Sequence, residues 1–258
     1  FVVEGDEYDT AFFDKTPKFL HYHAQSLVLT SVEFDHADIY RDLDHVKSVF
    51  RELVAGMPSD GTMVAAASCA GVLDVIADAS CHVLTYAVES AEAAATSDYL
   101  ARDLVADRIG TRFRIDAPGG VSIQARLPMF GAYNVENALA AVAMLDTLGV
   151  DCARAAQALP TLRGVKRRQE VRGEAAGVIV VDDFAHHPTA VRASISAAMA
   201  RYPGRRLVAV FEPRTNTSRR RIFQDDYARA FDGAAEVVVR EVLDEPIYSA
   251  TGEVSELF

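Results

Sequence analysis

The residues best equipped for chemistry stand where apolar runs end. Phe1-Val2-Val3 gives way to Glu4-Gly5-Asp6-Glu7-Tyr8-Asp9, and Ser26-Leu27-Val28-Leu29-Thr30 leads to Glu33-Phe34-Asp35-His36. Open α/β sheets put their ligand crevice at the carboxyl ends of parallel strands, so both polar clusters are candidates for a site. A carboxylate from Glu4 and an imidazole from His36 can share a divalent cation. A Mg2+ held largely by phosphate oxygens needs few protein ligands. The plainer alternative makes Glu4 one exposed acid among several and His36 the cap of a turn.

Four further clusters follow. In Gly131-Ala132-Tyr133-Asn134-Val135-Glu136-Asn137, Asn134 suits a helix cap. Asn137, at helical spacing, can instead offer its carboxamide to a base edge as donor and acceptor together. Arg163-Gly164-Val165-Lys166-Arg167-Arg168 sets cations beside a glycine, and a planar guanidinium matches phosphate oxygens. A solvated charged linker is the bland reading of that run. Asp182-Asp183-Phe184-Ala185-His186-His187-Pro188 again places polar residues between a strand and a helix. Paired acids and histidines raise zinc, but structural zinc wants four clustered ligands and no third is nearby, so a helix start that orients an anion is the better reading. Glu212-Pro213-Arg214-Thr215-Asn216-Thr217-Ser218 brings arginine and hydroxyls to another strand-to-helix turn, a fit for carboxylate or phosphate.

The elements that must position these groups alternate. Strands are expected at Phe1–Val3, Ser26–Thr30, Met63–Ala67 and His82–Val88, with helices at Leu43–Ala55, stopped by Gly56, and Ala70–Ala77. The alternation from Arg112 to Leu127 predicts a hairpin turning at Pro118-Gly119-Gly120. An Ala-rich helix at Asn137–Leu148 and a second through Leu159 precede a linker, Pro160–Arg168. A fresh pattern then starts, with strands at Val178–Val181, Leu207–Phe211 and Glu236–Val239 and helices at Pro188–Ala200 and Ser218–Phe231. The fold class is α/β with a mainly parallel central sheet and flanking helices, followed by a second Rossmann-like α/β domain. The boundary is expected near residue 163, giving domains 1–162 and 163–258.

Composition narrows the rest. Half of the 258 residues are hydrophobic, and 37 acids against 26 bases leave a net charge of −11. That balance argues against a sequence-independent nucleic-acid binder, which needs a broad basic face, while local arginines still allow anionic substrates. Cys69, Cys81 and Cys152 form no C-x-x-C pair and read as free buried thiols of a reducing compartment, hence a cytoplasmic location. No apolar run reaches membrane-spanning length, and no secretion signal is visible. The opening on an apolar run, without Met or cap, reads as the interior of a larger enzyme.

The order of these motifs resembles the Mur ligase family of ATP-dependent amide-forming enzymes. The shared pattern is Glu-x-Asp-Glu after a strand, Asp-His at the next strand end, Gly-x-x-Asn-x-x-Asn, the Gly-Val-Lys-Arg-Arg hinge and Asp-Asp-x-x-His-His-Pro. It covers nearly the whole chain, as a central ATP-binding domain and a C-terminal one. The wording of Phe1–Asp9, Asp182–Pro188 and Phe211–Thr217 is similar to the branch that handles a murein tripeptide. The resemblance implies ATP and Mg2+ as cofactors, and UDP-N-acetylmuramate and L-alanyl-γ-D-glutamyl-meso-diaminopimelate as substrates, joined through an acyl phosphate in peptidoglycan recycling. It makes Glu4 and His36 metal ligands and, with Arg167, the catalytic set. Asn134 and Asn137 would lie near adenine. Arg167 would reach phosphate with Lys166 or Arg168 assisting, Asp183 and His187 would hold the nucleotide, and Arg214 and Asn216 would face the peptide.

Two family features have no counterpart here: the Gly-x-x-Gly-Lys-Thr phosphate loop, absent from residues 1–258, and a UDP-sugar-holding domain. Lys47 is not spaced as the carbamylated lysine of several sister enzymes. A fragment lacking these parts is expected to be inactive alone. The nearest rival is the L-alanine-adding ligase, folate polyglutamylation is more remote, and a non-catalytic α/β binding module is the rival of another class.

Overall fold

The structure, a computed structural model, describes residues 1–5, 7–37, 39–90, 97–215 and 217–241. Strands β1 (Asp9–Ala11) and β2 (Asp14–Pro17) form a small antiparallel hairpin. The principal sheet runs β3 (Ser26–Leu29), β4 (Thr62–Ala66), β5 (His82–Val88), β6 (Tyr99–Asp107), β7 (Gly110–Ala117) and β8 (Val121–Leu127), hydrogen-bonded in that order. β3 through β6 pair parallel, with Ser26 opposite Thr62, Thr62 opposite His82 and Tyr86 opposite Tyr99. The short links from β6 to β7 and from β7 to β8 make the far side an antiparallel meander.

Between the parallel strands run α1 (Leu43–Ala55) and α2 (Ala70–Val75). Asp42 caps α1, accepting from the His45 N–H at 2.8 Å, and Gly56 ends it. The helix turns Val46, Phe50, Leu53 and Val54 inward, where they pack with Phe19, Leu29, Val32, Met63 and Val72. Fully burying one such side chain stabilises by about 1.5–3 kcal/mol.

Later come α3 (Ala132–Thr147), α4 (Cys152–Ala158) and an antiparallel pair, β9 (Glu170–Ala175) with β10 (Val178–Asp182). Then follow α5 (Pro188–Arg201), β11 (Val208–Phe211), α6 (Gln224–Ala230) and β12 (Glu236–Val239), with β11 and β12 parallel. Val191, Ile195, Phe211, Tyr227, Ala230 and Phe231 form the core of this part.

The chain divides into two units. One comprises Phe1–Arg102, Ile115–Ile123 and Glu136–Ala155; the other comprises Asp103–Arg114, Gln124–Val135 and the chain from Ala156 on.

Three expectations change. Phe1–Val3 forms no strand, and Phe1 and Val2 are fully exposed. Three residues without a ladder partner gain too little to offset the entropy of ordering them. α3 begins at Ala132, well before Asn137. The expected helix Ser218–Phe231 is helical only from Arg221, as a 3-10 turn running into α6, because the Thr215–Ser218 stretch forms a side-chain-bonded turn. β1, β2, β6 and β9 were not expected.

Candidate active site

His36 sits on the loop after β3, in a left-handed conformation with φ 51°. Its carbonyl accepts from the Ile39 and Tyr40 N–H groups at 2.8 and 2.9 Å, and its own N–H donates to Asp35 Oδ1 at 2.7 Å. The side chain is 20% exposed, with Nε2 3.8 Å from Glu7 Oε2. The Tyr8 ring meets the imidazole edge-on at 4.5 Å between centroids. The loop is tied down behind. Val32 N–H points at Cys69 Sγ at 3.5 Å, and Gly71 of α2 lies so close that a Cβ there would stand 2.2 Å from the Val32 carbonyl oxygen.

The carboxylate set beside His36 is therefore Glu7; Glu4 is exposed. The signal for Glu7 was in the Glu-x-x-Glu spacing, but only the fold says which acid meets the imidazole. Among the described residues, no group of three or more His, Cys, Asp or Glu could hold a metal unaided. Glu7 and His36, with Oε2 and Nε2 3.8 Å apart, offer a carboxylate and an imidazole of the kind that suits a hard cation whose remaining ligands are phosphate oxygens and water.

The nucleotide-side candidates Asn134, Lys166, Arg167, Asp183 and His187 fall in the second unit. Gly131, with φ 91°, turns the chain into α3 where a Cβ would stand 2.7 Å from that of Ala197 on α5. Only glycine serves both demands. Asn134 does not cap α3: it lies within the first turn, and its Nδ2 donates to the Phe130 carbonyl at 2.7 Å. Asn137, further along α3, is exposed. Tyr133 has its phenol pKa pushed up by burial and by the Asp183 charge.

Lys166, Arg167 and Arg168 are exposed on the turn before β9. Arg167 and Arg168 stack on the same ring, that of Phe184, at 5.0 and 5.6 Å, which leaves guanidinium edges available to an anion. Arg167 is left-handed with φ 58°, and its Nε is 3.8 Å from Asp182. Such conformations cost non-glycine residues about 1–2 kcal/mol and persist where surroundings impose them.

Asp183 spends its carboxylate inside the chain. Oδ2 accepts from Gln169 N and Nε2, both at 3.0 Å, and Oδ1 accepts from Ala185 N at 2.8 Å. His187 caps α5, with Nδ1 accepting from the Thr189 N–H at 3.4 Å, and its ring meets Phe223 edge-on at 5.0 Å. Arg214 is exposed, its Nε 3.9 Å from Glu212, a pair whose openness to water makes it weak. Thr217 and Ser218 behind it are buried. Thr215 and Ser218 exchange side-chain bonds with each other's backbone N–H at 3.0 and 3.1 Å. Asn216 lies outside the described residues.

Residues 9–145 match the Mur ligase middle domain, and residues 167–253 match the Mur ligase glutamate ligase domain. The chain is 37% identical over 238 residues to the Escherichia coli UDP-N-acetylmuramate–L-alanyl-gamma-D-glutamyl-meso-2,6-diaminoheptandioate ligase, covering 92% of this chain and 50% of that one. It is 34% identical over 243 residues to the UDP-N-acetylmuramate–L-alanine ligase of Caldanaerobacter subterraneus, covering 94% and 50%. The crystal structure of a murein peptide ligase from Psychrobacter arcticus superposes with TM-score 0.66 at 34% identity, over 93% of this chain and 48% of that one. The chain thus spans about half the length of these relatives. Matched by both domains in order, with the α/β architecture each requires, the chain belongs to the Mur ligase family.

Proposed function

We propose that this chain supplies the metal-, nucleotide- and amine-handling part of an ATP-dependent ligase. The reaction joins the lactyl carboxylate of UDP-N-acetylmuramate to the amine of L-alanyl-γ-D-glutamyl-meso-diaminopimelate, in peptidoglycan recycling in the cytoplasm. The observation that carries this reading is the 37% identity to the Escherichia coli tripeptide ligase across 92% of the chain. Residues 1–162 act as the central ATP-binding domain and 163–258 as the C-terminal domain, and the gap between the two family matches, 146–166, supports that division.

Chemically, γ-phosphoryl transfer to the carboxylate makes an acyl phosphate, and the amine then displaces phosphate. The burden on the protein is charge control, because anionic partners must approach one another. Mg2+, held by Glu4 and His36 with Glu7 beside the imidazole, would neutralise phosphate oxygens. Arg167, with Lys166 and Arg168 next to it, offers guanidinium N–H groups to the same oxygens. Asn134 and Asn137 border the adenine, Asp183 and His187 shape the nucleotide loop, and Arg214 with Asn216 receives a peptide carboxylate.

A second reading, the L-alanine-adding ligase, is favoured by the 34% identity to the Caldanaerobacter enzyme. The test uses the gene product in its native reading frame, with UDP-N-acetylmuramate, ATP and either tripeptide or L-alanine. Phosphate release driven by tripeptide supports the first reading. Release driven by L-alanine alone hands the function to the second, and ATP binding without turnover on either amine leaves a binding module.

A further inference from the structure

Gln169 was not among the sequence candidates, yet it ties the cation turn to the β10–α5 loop and to α5. Its backbone is left-handed, with φ 52°. Its N–H and Nε2 both donate to Asp183 Oδ2 at 3.0 Å, and Nε2 also donates to the Ser194 carbonyl of α5 at 3.2 Å. Its carbonyl accepts from Arg201 Nη1 at 2.9 Å, and the Arg201 guanidinium lies 5.0 Å from the Phe130 ring. The remaining polar atom, Oε1, is buried without a hydrogen-bond partner, so the amide is oriented entirely by what its NH2 group reaches.

This matters because the cation turn ends at Gln169. Arg167 shares the left-handed conformation, and its carbonyl accepts from the Phe184 N–H at 2.7 Å. The Asp183–Gln169 bonds and the Arg167–Phe184 bond together pin the turn to the β10–α5 loop, which brings both guanidinia onto Phe184. We propose that Gln169 is a positioning residue: its side-chain amide, latched to Asp183 and Ser194, holds Arg167 and Arg168 stacked on Phe184 with their edges turned to an anionic phosphate. The phosphate half of that statement rests on the function proposed above.

The test separates the two halves. In the 258-residue chain, arginine side-chain NMR should show the Arg167 and Arg168 Nε–H resonances displaced by the Phe184 ring, and Phe184→Leu should abolish the displacement. Gln169→Asn and Gln169→Gly both tolerate a positive φ, so neither burdens the backbone, but neither spans from Asp183 to Ser194. Both should lose the displacement while the amide spectrum stays folded. In the native-frame gene product both should also weaken ADP binding about tenfold, the loss of one charge-assisted contact. Retention of the displaced resonances in either variant overturns the latch. Their loss in a protein whose wild type binds no ADP supports the latch and overturns the phosphate reading instead.

Discussion

Two oxygens of Asp183 accept three hydrogen bonds, and that load makes its removal costly. Asp183→Ala leaves the Gln169 and Ala185 N–H groups without acceptors, and a lost partner of this kind costs about 1–3 kcal/mol. Urea unfolding should therefore show a lower midpoint at unchanged slope. Arg214 carries the amine-side prediction. In the native-frame gene product, Arg214→Ala should raise KM for tripeptide by about ten- to a hundred-fold and leave that for ATP nearly unchanged, since a bidentate carboxylate contact is worth roughly 1.5–3 kcal/mol. An equal loss on ATP would remove Arg214 from the peptide site. Cys152 gives a pH signature. Burial, aided by Asp146 and Asp151, pushes its thiol up to about 11 from an unfolded value of 9.0. The neutral thiol's contribution to stability is complete below about pH 9 and is lost as pH rises through about 11. Iodoacetamide should accordingly label part-exposed Cys69 well before Cys152, as read by mass spectrometry.

Among the elements, α1 was legible in its bounds because its apolar spacing and Gly56 stop agree with one another, and the structure adds the Asp42 cap. β6 and β9 were not. Tyr99–Asp107 mixes Arg102 and Asp103 into its apolar residues, and β9 is mostly exposed, so neither shows the period of a half-buried strand. The stretch before α6 carries helix-compatible residues, but Thr215 and Ser218 satisfy local backbone groups with their hydroxyls and win against the helix. Gly71 shows a constraint that sequence hides altogether. Gly71→Ala would force α2 away from the His36 loop, and overpacking against backbone costs typically 1–3 kcal/mol or more. Thermal melting should show a clear loss of stability, and an unchanged melting temperature would mean that the contact relaxes freely.

For the molecule as a whole, motif order was enough to reach the family, although the first motif follows no strand and the cation hinge lies on the turn before β9. Residue-level partnerships were not legible: Glu7 beside His36, and Gln169 beneath the cation turn, depend on contacts distant in sequence. The proposed function rests at every scale on carboxylate activation by phosphoryl transfer. Isotope transfer tests it most directly. UDP-N-acetylmuramate labelled with 18O in its lactyl carboxylate, incubated with ATP, an amine substrate and the native-frame gene product, should yield inorganic phosphate bearing one labelled oxygen per amide formed. Amide formation with unlabelled phosphate would contradict the acyl-phosphate route, and with it the role given to these residues.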